Sequence, residues 1–191
     1  MDIRMLSVGK KYDEETILEG FSLEIKKGET ICIMGESGCG KTTLLRILMG
    51  LEVVQSGEVF LNQARVSAVF QEDRLFEELT AVKNISMICG KRDTQMVREH
   101  LCRILPEEAL EKQVRLLSGG MKRRVAIVRA VLAESDMLIL DEAFTGMDRE
   151  TKAEVAMYIK ENLKGRILVY TTHNEEELEM LGGRKIILHK R

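Results

Sequence analysis

The chain switches repeatedly between two hydrophobic periods. Residues 3–8 and 18–25 read as strands, and in the second Phe21, Leu23 and Ile25 alternate with polar neighbours, the period-2 mark of a half-buried strand. Lys27-Gly28-Glu29 then turns the chain into Thr30-Ile31-Cys32-Ile33-Met34, a continuous apolar run suited to a strand covered on both faces. Segments 66–70, 137–140 and 167–170 repeat that type. Between these runs, residues 41–49, 119–133 and 149–163 carry helical spacing. Strands and helices in alternation predict an α/β fold, a sheet with helices over both faces.

The stretch 72–117 differs. It holds no long strand, 81–88 and 94–104 have helical spacing, and the one proline of the chain, Pro106, breaks it. It reads as a helical insertion within one domain, after a compact strand region at 57–70. Glu175-Glu176-Glu177 reads as a solvated helix start, favoured by the helix dipole.

Composition narrows the classes. At 191 residues one domain is expected, with a core large enough to need neither disulfides nor metals. Twenty-nine Lys and Arg against 31 Asp and Glu, net charge −2, argue against a nucleic-acid coat protein, so no nucleic-acid partner is expected. Eight aromatic residues are too few for a platform that stacks single strands. No apolar run reaches the roughly 20 residues of a membrane-spanning helix, and Met1-Asp2-Ile3-Arg4 opens no secretory signal. The expectation is a soluble, cytosolic globule. Cys32, Cys39, Cys89 and Cys102 form no Cys-x-x-Cys pair, and His100, His173 and His189 are scattered, so the cysteines read as reduced, small hydrophobes rather than metal ligands.

Residues 35–42 read Gly35-Glu36-Ser37-Gly38-Cys39-Gly40-Lys41-Thr42, directly after a strand and before a helix. That is the phosphate-binding loop in the context it requires. Its glycines let the backbone curl around a phosphate while amide N–H groups point inward. The following helix adds its positive N-terminal end. Lys41 is placed to reach the β- and γ-phosphates, and the Thr42 hydroxyl to ligate Mg²⁺. Thr43 belongs to the same contact set. A second constellation is Met137-Leu138-Ile139-Leu140-Asp141-Glu142, an apolar strand ending in two acids. In a parallel sheet such an end faces the ligand. Asp141 suits Mg²⁺ as a hard oxygen donor, and Glu142 suits a base that polarises water.

The third is Leu117-Ser118-Gly119-Gly120-Met121, 23 residues before Asp141 counted from Ser118. A Ser-Gly-Gly helix start again offers amides and a hydroxyl to a phosphate. One loop plus one more phosphate-facing helix start suggests two chains sharing nucleotides. With these residues, the chain resembles ATP-binding cassette (ABC) ATPase subunits over essentially its whole length. The resemblance implies a P-loop NTPase (RecA-like) core sheet, an N-terminal antiparallel β part and an inserted α-helical subdomain. Residues 1–191 would form a single ABC domain, with the core at about 1–71 and 134–191 and the helical subdomain at about 72–133. It further implies adenine stacking on Tyr12, and a Gln71 that senses Mg²⁺ and the attacking water. Asp141 becomes the Mg²⁺ aspartate, Glu142 the catalytic glutamate, Asp148 a dimer contact near the nucleotide, and His173 the residue that holds the γ-phosphate.

The chain departs from the family pattern in places. Met121 stands for the signature glutamine, Ala143 for a proline, Gly146 for an alanine and Cys39 for a serine. A thiol among phosphate-binding amides suggests a lowered pKa and sensitivity to oxidation. The resemblance implies a homodimer sandwiching two ATP molecules, docked on a separate integral-membrane permease at the cytoplasmic face. The string Val-Phe-Gln-Glu-Asp-Arg-Leu at 69–75 resembles importers of nitrate, sulfonate and taurine. Alternatives are an exporter or lipid-extraction motor, and a non-transport ABC ATPase of DNA repair, ribosomes or cofactor assembly.

Overall fold

A computed structural model of the chain describes residues 2–88 and 94–190. The central apolar runs pair as a five-stranded sheet in the order β5(Val66–Val69), β6(Met137–Asp141), β7(Ile167–Thr172), β3(Thr30–Met34), β8(Arg184–Ile187), every pair parallel. Period 2 assigns the two faces. Cys32, Met34, Leu138, Leu140, Leu168 and Tyr170 face one core, and Ile31, Ile33, Met137, Ile139, Ile167 and Val169 face the other. Coverage on both sides is why these strands are apolar throughout.

The first core is closed by α4(Gly119–Leu132), α5(Arg149–Asn162), and the helices α2(Ala81–Ser86) and α3(Thr94–Cys102). The second is closed by α1(Lys41–Leu48) and by a three-stranded antiparallel sheet, β2(Glu15–Ile25), β1(Ile3–Tyr12), β4(Ser56–Phe60). Short 3₁₀ turns at Glu107–Ala109 and Val114–Leu116 follow α3, the first starting at Pro106. Among the described residues, no helix is long and apolar enough to cross a membrane.

Most expected elements are present with ends shifted by a few residues, β1 and β2 being longer than expected. The compact region at 57–70 resolves into two strands in different sheets, β4 beside β1 and β5 beside β6. β8, a short edge strand with three exposed positions of four, opens on Arg184 and Lys185 and lies outside the expected strands.

Two expectations are corrected. Glu177 is not solvated: it is 6% exposed in α6(Glu175–Leu181) and paired with Lys152 of α5 at 2.7 Å. Packing of α6 against α5 and β7 turns the third glutamate inward, which the run of three acids does not reveal. Cys39 is 3% exposed and belongs to the second core, its Sγ beneath Gly35. Its thiol points away from the phosphate-facing side of the loop, so burial removes the access that oxidation needs. Cys32 is also buried, while Cys102 is exposed. Cys89 lies outside the described residues. His100 is used structurally, edge-on to Tyr158 with Nδ1 3.0 Å from its hydroxyl.

Candidate functional site

The loop 35–40 leaves the carboxyl end of β3, where ligands of parallel sheets bind. Its shape depends on two glycines with close neighbours. Gly40 has φ 98°, and a Cβ there would lie 2.5 Å from Ile17 Cγ2. Gly35 has φ 156°, and a Cβ would lie 2.4 Å from the Leu188 carbonyl oxygen. Lys41 is 7% exposed, and its Nζ donates to the carbonyls of Gly35 at 2.8 Å and Glu36 at 2.9 Å. The ammonium is thus fixed across the loop at the start of α1, where the helix end also favours an anion. Four residues of α1, Leu44, Leu45, Ile47 and Leu48, anchor it in the second core.

A cleft of about 230 Å³ opens beside the loop. Tyr12, Ser37, Gly38, Gly40, Lys41, Thr42, Thr43, Gln71 and Glu142 line it, together with Ile17. Residues separated by up to 130 positions therefore converge on one phosphate-sized mouth. Tyr12 is 41% exposed at the end of β1, with Lys10 Nζ 5.0 Å from its ring centre. Gly35, Glu36 and Cys39 shape the loop without lining the cleft. A larger depression, about 760 Å³ among Arg4, Lys26, Lys27 and Arg184, lies at the opposite, amino ends of the parallel strands, away from this chemistry.

Behind the cleft sits a hydroxyl–carboxylate cluster. Thr42 Oγ1 donates to Asp141 Oδ2 at 3.0 Å, and Thr171 Oγ1 donates to Asp141 Oδ1 at 2.7 Å. Asp141 is 4% exposed. Thr171 also accepts from the Glu142 amide at 2.9 Å, so one buried hydroxyl holds both the Asp141 carboxylate and the Glu142 main chain. Glu142 itself has φ 49°, a left-handed conformation unusual for a glutamate. Its carbonyl is held by the Thr145 hydroxyl at 2.9 Å. Thr171 was not singled out in the sequence. The available signal is a pair of threonines closing an apolar strand.

A hydroxyl beside a buried carboxylate, at the mouth of a phosphate-binding loop, is a donor set that fits Mg²⁺, which takes few protein oxygens and leaves the rest to phosphate and water. No group of three or more His, Cys, Asp or Glu that could hold a metal ion by itself occurs among the described residues, and Mg²⁺ bound with a nucleotide does not require one.

Ser118, Gly119, Gly120 and Asp148 are not in that cleft. They line a second one of about 630 Å³, with Asp73, Arg123, Arg124 and Thr145–Met147. Ser118 caps α4, accepting from the Met121 amide at 3.2 Å. Asp148 caps α5, accepting from the Thr151 amide at 2.8 Å, which holds its carboxyl below the ordinary aspartate range. Met121 packs against the first core instead of offering the polar group of a glutamine. His173 is exposed just after β7, at the same sheet end as the loop because Thr172 pairs in register with Met34. It lines neither cleft.

The segment 70–74 connects the two clefts, Gln71 in one and Asp73 in the other. Arg123 of α4 donates to the carbonyls of Phe70 and Gln71, and its guanidinium lies 3.2 Å from Asp73 Oδ1. Arg129 donates to the carbonyls of Arg74 at 2.7 Å and Asp73 at 3.0 Å. Neither arginine stands out in the sequence, where nothing local marks its partners.

Comparison with known proteins agrees with this geometry. The ABC transporter family model matches residues 18–145. The chain is 36% identical over 208 aligned positions to the spermidine/putrescine import ATP-binding protein PotA of Thermotoga maritima, covering 99% of this chain and 56% of that protein. It is 30% identical to the Fe(3+) ions import ATP-binding protein FbpC of Fusobacterium nucleatum, with 98% and 56% covered. The chain thus spans about half the length of the curated relatives it matches. A dimeric post-hydrolysis structure of the ATP-binding cassette MJ0796 bound to ADP and Pi superposes with TM-score 0.86 at 27% identity, covering 99% of this chain and 96% of that one. The similarity of residues 69–75 to nitrate, sulfonate and taurine subunits finds no support in these relatives, which are named for other solutes. Family match, fold and loop geometry agree, and the chain belongs to the ABC transporter family.

Proposed function

We propose that this chain is the ATP-binding and ATP-hydrolysing subunit of a transporter, working as a dimer of two copies on a separate integral-membrane permease. The observation that carries the reading is the separation of the site residues into two clefts within one chain. Each holds only part of the residue set assigned to the nucleotide. Apposed head to tail, the loop cleft of one copy meets the Ser118 cleft of the other, and each ATP gains ligands from both. The dimeric ADP- and Pi-bound cassette similar to this chain supports that arrangement.

In this reading Tyr12 stacks on the adenine, while the loop amides and Lys41 neutralise phosphate charge. Thr42 and Asp141 hold Mg²⁺, which supplies further neutralisation of the transferring phosphoryl group. Glu142, set by Thr171, accepts the proton of the attacking water. Gln71 orients that water, His173 contacts the γ-phosphate, and Ser118, Gly119, Gly120 and Asp148 of the other copy close the site. Residues 72–133 act as a helical arm on a core of 1–71 and 134–191, its exposed Phe76 and Met87 available to the permease. The relatives named for spermidine/putrescine and Fe(3+) import favour uptake of a small solute, with the chain peripheral on the cytoplasmic face of the membrane.

The test is Glu142→Gln. ATP binding should persist while turnover falls roughly 10²–10⁴-fold, the scale of a lost general base. Near-normal turnover would remove Glu142 from its role. Affinity purification should recover an integral membrane protein, and recovery of nucleic acid or soluble assembly factors alone would move the chain out of transport.

A further inference from the structure

Glu177 is a buried acid that the chemistry above does not use. It sits four residues after His173, and its two carboxylate oxygens point in different directions. Oε2 accepts from the Thr172 hydroxyl at 2.6 Å, and that hydroxyl accepts from the Asn174 amide at 3.0 Å. The residues on both sides of His173 are therefore held by one carboxylate. Oε1 accepts from Lys152 Nζ at 2.7 Å. Lys152 lies in the first turn of α5, its amide bonded to the Asp148 carbonyl at 2.9 Å. Glu177 and Lys152 side chains are 8% and 15% exposed, so water screens the pair weakly.

We infer that Glu177 is a positioning residue for hydrolysis, fixing the Thr172-His173-Asn174 turn and tying it through Lys152 to the helix that begins at Asp148. The inference rests on the ATPase reading above. His173 is exposed, and among the described residues its side chain makes no hydrogen bond, so its place is set through its neighbours. Because Asp148 faces the second cleft, the ion pair also joins the turn at a chain's own nucleotide to the surface that meets the other copy. Networks of this kind carry coupling between sites.

The experiment is steady-state ATP hydrolysis by the full chain carrying Glu177→Gln, His173→Ala, or both. Glu177→Gln should lower kcat roughly 10–100-fold, the scale on which metal sites lose activity when a partner that orients a ligand is removed, and leave KM for ATP within about twofold. In the His173→Ala background it should cause little further loss, because both changes remove the same function. Losses that multiply, or a rise in KM alone, would overturn the inference. Thr172→Val keeps the ion pair and cuts only the link to the turn, so it gives the same answer if Glu177→Gln fails to fold: a fall in kcat supports the link and an unchanged kcat refutes it. Absence of hydrolysis in the unsubstituted chain would instead refute the ATPase reading. Normal hydrolysis that responds to Glu142→Gln and not to either variant would refute the positioning role alone.

Discussion

The guanidinium of Arg123 is hydrogen-bonded to the main-chain carbonyl of Gln71, 52 residues earlier in the chain. Gln71 lines the loop cleft, while Arg123 lines the Ser118 cleft one turn into α4. This contact and the second bond, to the Phe70 carbonyl, tie the walls of the two clefts together.

Arg123→Ala should therefore loosen segment 70–74 and leave two carbonyls and Asp73 without their cation. Stability in denaturant unfolding should fall by about 2 kcal/mol, the scale of charge-assisted hydrogen bonds. ATPase activity should fall too. Arg123→Lys should recover only part of both, because one ammonium does not reproduce a planar fork spanning several oxygens. Full recovery with lysine would show that charge alone matters.

Glu142 combines its proposed role in hydrolysis with backbone strain. Its φ of 49° costs a side-chain-bearing residue about 1–2 kcal/mol. Glycine removes that cost, and it gives back about 0.4–1 kcal/mol through a freer unfolded chain. Glu142→Gly should thus unfold at or slightly above the temperature of the unsubstituted chain while losing hydrolysis. A clear drop in Tm would mean that the glutamate side chain is needed for the fold.

Asp148 gives a pH signature. The Thr151 amide lowers its folded pKa, so it contributes stability above the unfolded value of about 3.9 and loses it as the pH falls through the folded value. Asn is also a good helix cap, so Asp148→Asn isolates the charge. Its Tm deficit at pH 7 should shrink as the pH drops below about 4. A deficit that does not change with pH would assign the effect to shape.

What the sequence revealed followed from contiguity. Runs such as Ile31–Met34 and Met137–Leu140 identify strands buried on both faces, and the loop 35–42 carries its own spacing. β8 escaped because Arg184 and Lys185 give an edge strand no apolar period. Thr171 and Arg123 escaped for another reason. They act on residues 30 and 52 positions away through side-chain hydrogen bonds, and no local spacing encodes that. Three consecutive glutamates look alike in sequence, and only the pairing with Lys152 of α5 sets Glu177 apart. The site proposed to be shared between two chains divides here between two separate clefts.

That separation gives the most direct test of the account. Lys41→Ala disables the loop cleft and leaves Ser118 intact, while Ser118→Arg blocks the second cleft and leaves Lys41 intact. Each variant alone should hydrolyse almost no ATP. Mixed in equal amounts, they should recover roughly a quarter of the unsubstituted rate, since random pairing in a two-fold dimer rebuilds one complete site in half of the dimers. No recovery from folded, dimer-competent variants, or full activity of Ser118→Arg alone, would contradict a nucleotide site shared between two copies.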